Sequence, residues 1–128
     1  MNDRYQRGRA VMDEVYGPGF SAALDGQSGP FLKETVEHLF GEVWNRPDLS
    51  TRDRRLLVLG ATAAFGRADL VQVQARGALA SGDCTPDELH ESVLQLAFYV
   101  GWGNATSVHE GIARAVAETT TAAEPNQD

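Results

Sequence analysis

Thiol chemistry is close to absent from this chain, whose only cysteine is Cys84. One cysteine excludes an internal disulfide, and the lack of any Cys-x-x-Cys excludes a dithiol redox couple or a zinc ribbon. A reducing, cytoplasmic setting is the expectation. Lysine is nearly missing as well: Lys33 stands against ten arginines, and these are clustered rather than spread. The net charge of −7 argues against nucleic acid or an anionic membrane as the main partner. No apolar run approaches the ~20 residues a membrane helix needs, and the polar start (Asn2, Asp3, Arg4, Gln6, Arg7, Arg9) lacks a secretory apolar core. The three histidines, His38, His90 and His109, are not clustered with carboxylates at ligand spacing, so no metal is expected.

What is present is an ordinary globular composition, 42% hydrophobic and 23% charged over 128 residues, enough for one domain with a real core. The apolar residues recur with the helical period, and no stretch alternates convincingly as a strand. The expected fold is therefore all-α, with about six helices. The first spans roughly Asp3 to Tyr16 and is ended by Gly17-Pro18-Gly19. A loop-like stretch through Gly29 follows. The second, about Pro30 to Trp44, carries Leu32, Thr35, Val36, Leu39, Phe40 and Val43 on one stripe. The third, after Ser50, is apolar nearly all round from Leu56 to Phe65, as for a central helix or an oligomer seam. The fourth, Ala68 to Ser81, directs Leu70, Gln74, Gly77 and Ala78 to one face and closes at Gly82. The fifth opens with Thr85, Pro86 and Glu88 in capping-box order. Gly101-Trp102-Gly103-Asn104 then breaks the pattern before a sixth helix from about Ala105 to Glu118, which buries Val108, Ile112 and Val116. Residues 1–118 form the expected domain and 119–128 a frayed, disordered tail.

The densest chemistry lies between the second and third helices. Glu42, Trp44, Arg46, Arg52, Arg54 and Arg55 fall within one short segment that Pro47 forces to turn. Guanidinium groups at such a corner suit a bidentate grip on a carboxylate, or salt bridges between subunits. Ser50 is placed to cap the third helix.

The segment Gly41-Glu42-Val43-Trp44-x-Arg46-Pro47-x-Leu49, followed by Arg52, Arg54, Leu56 and Leu57, resembles the γ-carboxymuconolactone decarboxylase pattern. So do Arg76-x-Ala78-Leu79 with Gly82, Thr85-x-Asp87-Glu88-Leu89, and Leu94-Gln95-x-Ala97-x-Tyr99-x-Gly101. The likeness covers roughly Pro30 to Ile112. It implies the all-α fold shared with the alkylhydroperoxidase-D-like group, a homo-oligomer (trimer or hexamer), and cofactor-independent decarboxylation or related proton transfer on a small anionic substrate, a carboxylated lactone or keto acid. Peroxidase chemistry would need two thiols, and this chain has one.

In that family a histidine before the Arg-x-Ala-Leu is thought to be the acid/base group, and here Gln74 stands in its place. Glu42 is then the candidate for proton transfer, Gln74 for orienting the enolate oxygen through a hydrogen bond, and His109 for supplying the proton that an amide cannot. Arg46 is the candidate carboxylate ligand. His38, Trp44, Tyr99 and Trp102 are candidate pocket residues, although aromatics at helical spacing are equally suited to a core. His90 reads as a surface residue. A non-catalytic relative that binds a small molecule or scaffolds an oligomer is the alternative.

Overall fold

The computed structural model describes residues 2–123, and among these there are helices and turns but no strand. Helix α1 (Asp3–Tyr16) is started by Asn2, whose side chain accepts the Tyr5 amide at 2.8 Å, and is ended by Gly17 at φ 117°. The stretch expected to be loop contains one 3₁₀ segment, Phe20–Leu24. Helix α2 (Pro30–Lys33) runs on without a break as a π-helical segment, Glu34–Val43. Helices α3 (Thr51–Ala64), α4 (Ala68–Ser81), α5 (Pro86–Val100) and α6 (Trp102–Ala123) complete the molecule.

The π winding corrects the expected stripe of the second helix. Its hydrogen bonds reach one residue further than in an α-helix, the last being Trp44 N–H to the Leu39 carbonyl at 2.9 Å. The buried positions are Val36, Phe40 and Trp44 together with Glu37 and Gly41, the face on which α1 is seated, while Leu39 turns outward to 40% exposure. Helix α1 packs against this face so closely that a Cβ on Gly8 would collide with the Val36 carbonyl. Val11, Met12, Val15, Val36, Phe40 and Trp44 make one apolar core there.

A second core lies among α3, α4, α5 and α6, around Leu59, Val71, Ala75, Leu89, Val108 and Ile112. Complete burial of a side chain such as Ile112 or Leu89 contributes about 1.5–3 kcal/mol. The central pair is α4 against α6, not α3. Of α3 only Arg55, Leu59 and Ala63 are buried, and Leu57 is 64% exposed. The all-round apolarity of α3 thus serves two faces, one in the core and one at the surface. On α4 the buried residues are Val71, Ala75, Gly77 and Ala78, so Gly77 and Ala78 lie inside as expected while Leu70 is 38% exposed and Gln74 half-buried.

The expected caps form. Ser50 Oγ accepts the Asp53 amide at 3.0 Å, and Thr85 and Glu88 close a capping box at 3.0 and 3.1 Å. At the α5–α6 junction Gly101 alone makes the break, at φ 89°, and α6 starts directly at Trp102. Asn104 is already helical, and its side chain donates to the Val100 and Ala64 carbonyls. The helix also continues past Glu118 to Ala123, so part of the expected tail is helical; residues 124–128 lie outside the described residues.

Candidate functional site

The arginine corner has the composition of an anion site, but most of its guanidinium groups already have partners. Arg55 is 6% exposed and donates to the Val15 and Glu14 carbonyls at the end of α1, and to Asp83 Oδ2 at 2.8 Å. It is a buried tie between α1, α3 and the α4–α5 turn. Arg52 donates to the Asp83 carbonyl at 3.0 Å and to Glu88 at 2.6 Å. Arg54 donates to the Arg46 carbonyl at 3.1 Å, while its Nε is buried without a partner. Arg46 itself stays exposed, 3.5 Å from Asp48.

Glu42 does not pair with Arg46 one turn on. It forms an ion pair with Arg4 of α1, and His38 Nδ1 lies 3.5 Å from its other oxygen. With 46% of its side chain exposed, this carboxylate sits in a wet, ion-paired setting rather than a desolvated one. Trp44 is buried at 8% and stacks on Phe40 with ring centroids 6.0 Å apart, so it stands in the core between α1 and the second helix.

Gln74 is enclosed. Its side-chain oxygen is 2.8 Å from the Thr62 hydroxyl, and it lines a cavity of about 10 Å³ with Arg55, Ala75, Cys84 and Leu89. Such a space admits a single water at most. Cys84, in the same wall, is 3% exposed, and burial pushes its thiol above the ordinary range, away from reactivity.

His109 stands elsewhere, in a groove of about 380 Å³ between α5 and α6. Its ring lies 5.8 Å from that of His90, tilted by 48°. Val93, Leu94, Ala97 and Trp102 make the apolar wall, with Thr106 beside them. Trp102 is 65% exposed and meets Phe98 edge-on, and Tyr99 is exposed at 81%. Within one chain, then, Glu42, Gln74 and His109 occupy three separate settings, and only His109 and Trp102 share a groove.

Two residues of chemical interest escaped the sequence reading. His90 was assigned to the surface, yet it faces His109. The signal was present: His90, Val93, Leu94 and Ala97 recur at helical spacing. What it faced required the packing of α6 on α5. Glu37 lies at the edge of the expected apolar stripe, and the seating of α1 on the second helix takes it inside.

A bundle of helices with its signature motif at the turn between the second and third defines the class. The family model of the carboxymuconolactone decarboxylase family matches residues 30–118, well over half of the chain. The chain belongs to that family. No curated protein matches it significantly. No helix among the described residues is long and apolar enough to cross a membrane.

Proposed function

We propose that the protein is a cofactor-independent enzyme that decarboxylates, or moves a proton on, a small carboxylated lactone or keto acid in the groove between α5 and α6. The observation that carries this reading is the His90–His109 pair at an otherwise apolar slot. Loss of carbon dioxide from such a substrate leaves an enolate that must be protonated at carbon, and an imidazole is the side chain whose ordinary titration suits that task near neutral pH. His109 is the proton donor in this scheme. With one ring protonated, the pair offers charge and N–H donors to the substrate carboxylate, while Leu94 and Trp102 take the ring.

A second copy of the chain would complete the slot. Phe98, Tyr99 and Trp102 are exposed beside it, and Leu57 and Phe65 of the third-helix region are exposed at 64% and 78%. Covering them would exclude water and strengthen every electrostatic contact inside.

The test is turnover of γ-carboxymuconolactone and a panel of small keto acids, followed by carbon dioxide release. Wild type is expected to turn over at least one of them, and His109→Gln to lower kcat roughly a hundredfold or more with a smaller change in KM. Equal rates for wild type and His109→Gln would overturn the assignment of His109.

The alternative, a non-catalytic binder or scaffold, is favoured by one observation: Gln74 is engaged by the Thr62 hydroxyl beside a space too small for a substrate. It predicts ligand binding without turnover, and function unchanged in Glu42→Gln.

A further inference from the structure

Glu34 and Glu42 keep to the surface of the second helix, but Glu37 is taken inside, with 4% of its side chain exposed. Its Oε2 is buried and has no hydrogen-bond partner. Lys33 Nζ lies 4.0 Å from that oxygen, beyond hydrogen-bond reach, and its side chain is 66% exposed. Lys33 therefore gives this oxygen a long ion-pair contact but no hydrogen bond, and a buried carboxylate oxygen without a hydrogen bond is costly.

Beside Glu37 is a pocket of about 390 Å³ between the start of α1 and the start of α2. It differs in kind from the histidine groove. Asn2, Tyr5, Gln27, Ser28 and Lys33 supply polar groups, and Leu32 is the one apolar side chain among its lining residues. The Asn2 side-chain oxygen accepts the Tyr5 amide, and its NH2 group remains as a donor.

The charges select the ligand. A bare anion would meet the Glu37 carboxylate, and a bare cation would meet Lys33. A metal ion would find one carboxylate and no second anionic ligand among the lining residues. A zwitterion answers both: its ammonium meets the Glu37 carboxylate and its carboxylate takes Lys33, whose side chain is exposed. We propose that this pocket is a binding site for a free α-amino acid, independent of the groove between α5 and α6. Glu37 receives the ammonium, Lys33 the carboxylate, and Tyr5, Gln27 and Ser28 surround the side chain.

The experiment is a thermal-shift screen of the full-length protein with each of the standard amino acids at millimolar concentration, followed by calorimetric titration of the best one. At least one is expected to raise the melting temperature. Glu37→Gln should weaken its binding roughly tenfold or more, and Lys33→Met should weaken it less. Ethylamine and acetate, each carrying one of the two charges, should bind no better than the amino acid binds to Glu37→Gln. The variant without ligand should melt no lower than wild type, because a neutral amide is easier to bury than a carboxylate whose inner oxygen lacks a hydrogen bond. Should Glu37→Gln fail to fold, backbone amide shifts in the wild type decide the matter: they must centre on Tyr5, Ser28, Gly29 and Lys33. No stabilisation by any amino acid, unchanged affinity in Glu37→Gln, or shifts centred elsewhere would each overturn the proposal.

Discussion

Arg55 shows how one buried side chain can hold three elements. Its guanidinium supplies donors to two carbonyls that the end of α1 leaves without helical partners, and it neutralises Asp83 before α5. Removing it strands both carbonyls and the carboxylate. Arg55→Met should cost on the order of 3 kcal/mol in urea unfolding, and Arg55→Lys only part of that, since an ammonium lacks the planar fork. A loss below ~1 kcal/mol in Arg55→Met would mean that water already serves these groups. The arginine was conspicuous in the sequence, but its role was not. A guanidinium at a motif corner fits a substrate carboxylate as well as a helix end, and the choice depended on where Val15 and Glu14 came to lie. Gln74 is a similar case: its place on a semi-apolar stripe was legible, whereas its bond to Thr62 depended on the packing of α3 against α4.

At the scale of elements, close approach between helices rests on positions without a Cβ. Gly77 of α4 meets the end of α1, where an added Cβ would collide with the Val15 carbonyl and stand 2.8 Å from Tyr16 Cα. Alanine at a helix interior ordinarily favours the helix by about 1 kcal/mol. Here the obstacle is backbone, which cannot rotate aside, so the collision outweighs propensity. Gly77→Ala should destabilise by roughly 1–3 kcal/mol, read from the urea midpoint. A stabilised variant would show that α1 can withdraw from α4 at little cost. The same closeness exposes the limit of pattern reading for the second helix. Its period was recognised as helical, yet α and π winding share nearly the same apolar spacing over so few turns. The seating of α1 selects the face that carries Glu37, Gly41 and Trp44.

For the whole molecule the informative surface feature is the number of large apolar side chains left outside, Leu57, Phe65, Leu94, Phe98, Tyr99 and Trp102, all more than half exposed, with Leu94, Phe98 and Trp102 in one neighbourhood. A patch of such residues marks an interaction surface. If copies of the chain associate through it, Phe98→Asp combined with Leu57→Asp should lower the mass seen by light scattering to that of one chain and remove the concentration dependence of melting. A wild type that scatters as a single chain at all concentrations would refute association. The third helix shows why this surface was half legible: its apolarity on every side was plain, and whether that meant a central helix or a seam depended on α4 and α6 occupying the centre instead.

What the sequence determined by itself is the set of features decided by near neighbours along the chain. These are the all-helical class, the caps at Ser50 and Thr85, the stops at Gly17 and Gly82, the turn at Pro47 and the family signature across it. Each depends on a side chain and a backbone group a few residues apart, so the local order of residues is sufficient. Only the tertiary structure decided that Glu37 is inside with one oxygen lacking a hydrogen bond, that His90 meets His109, and that Glu42, Gln74 and His109 stand apart within one chain. Those outcomes depend on which helix faces overlap, and that follows from the simultaneous burial of two cores around the ends of α1 and α4.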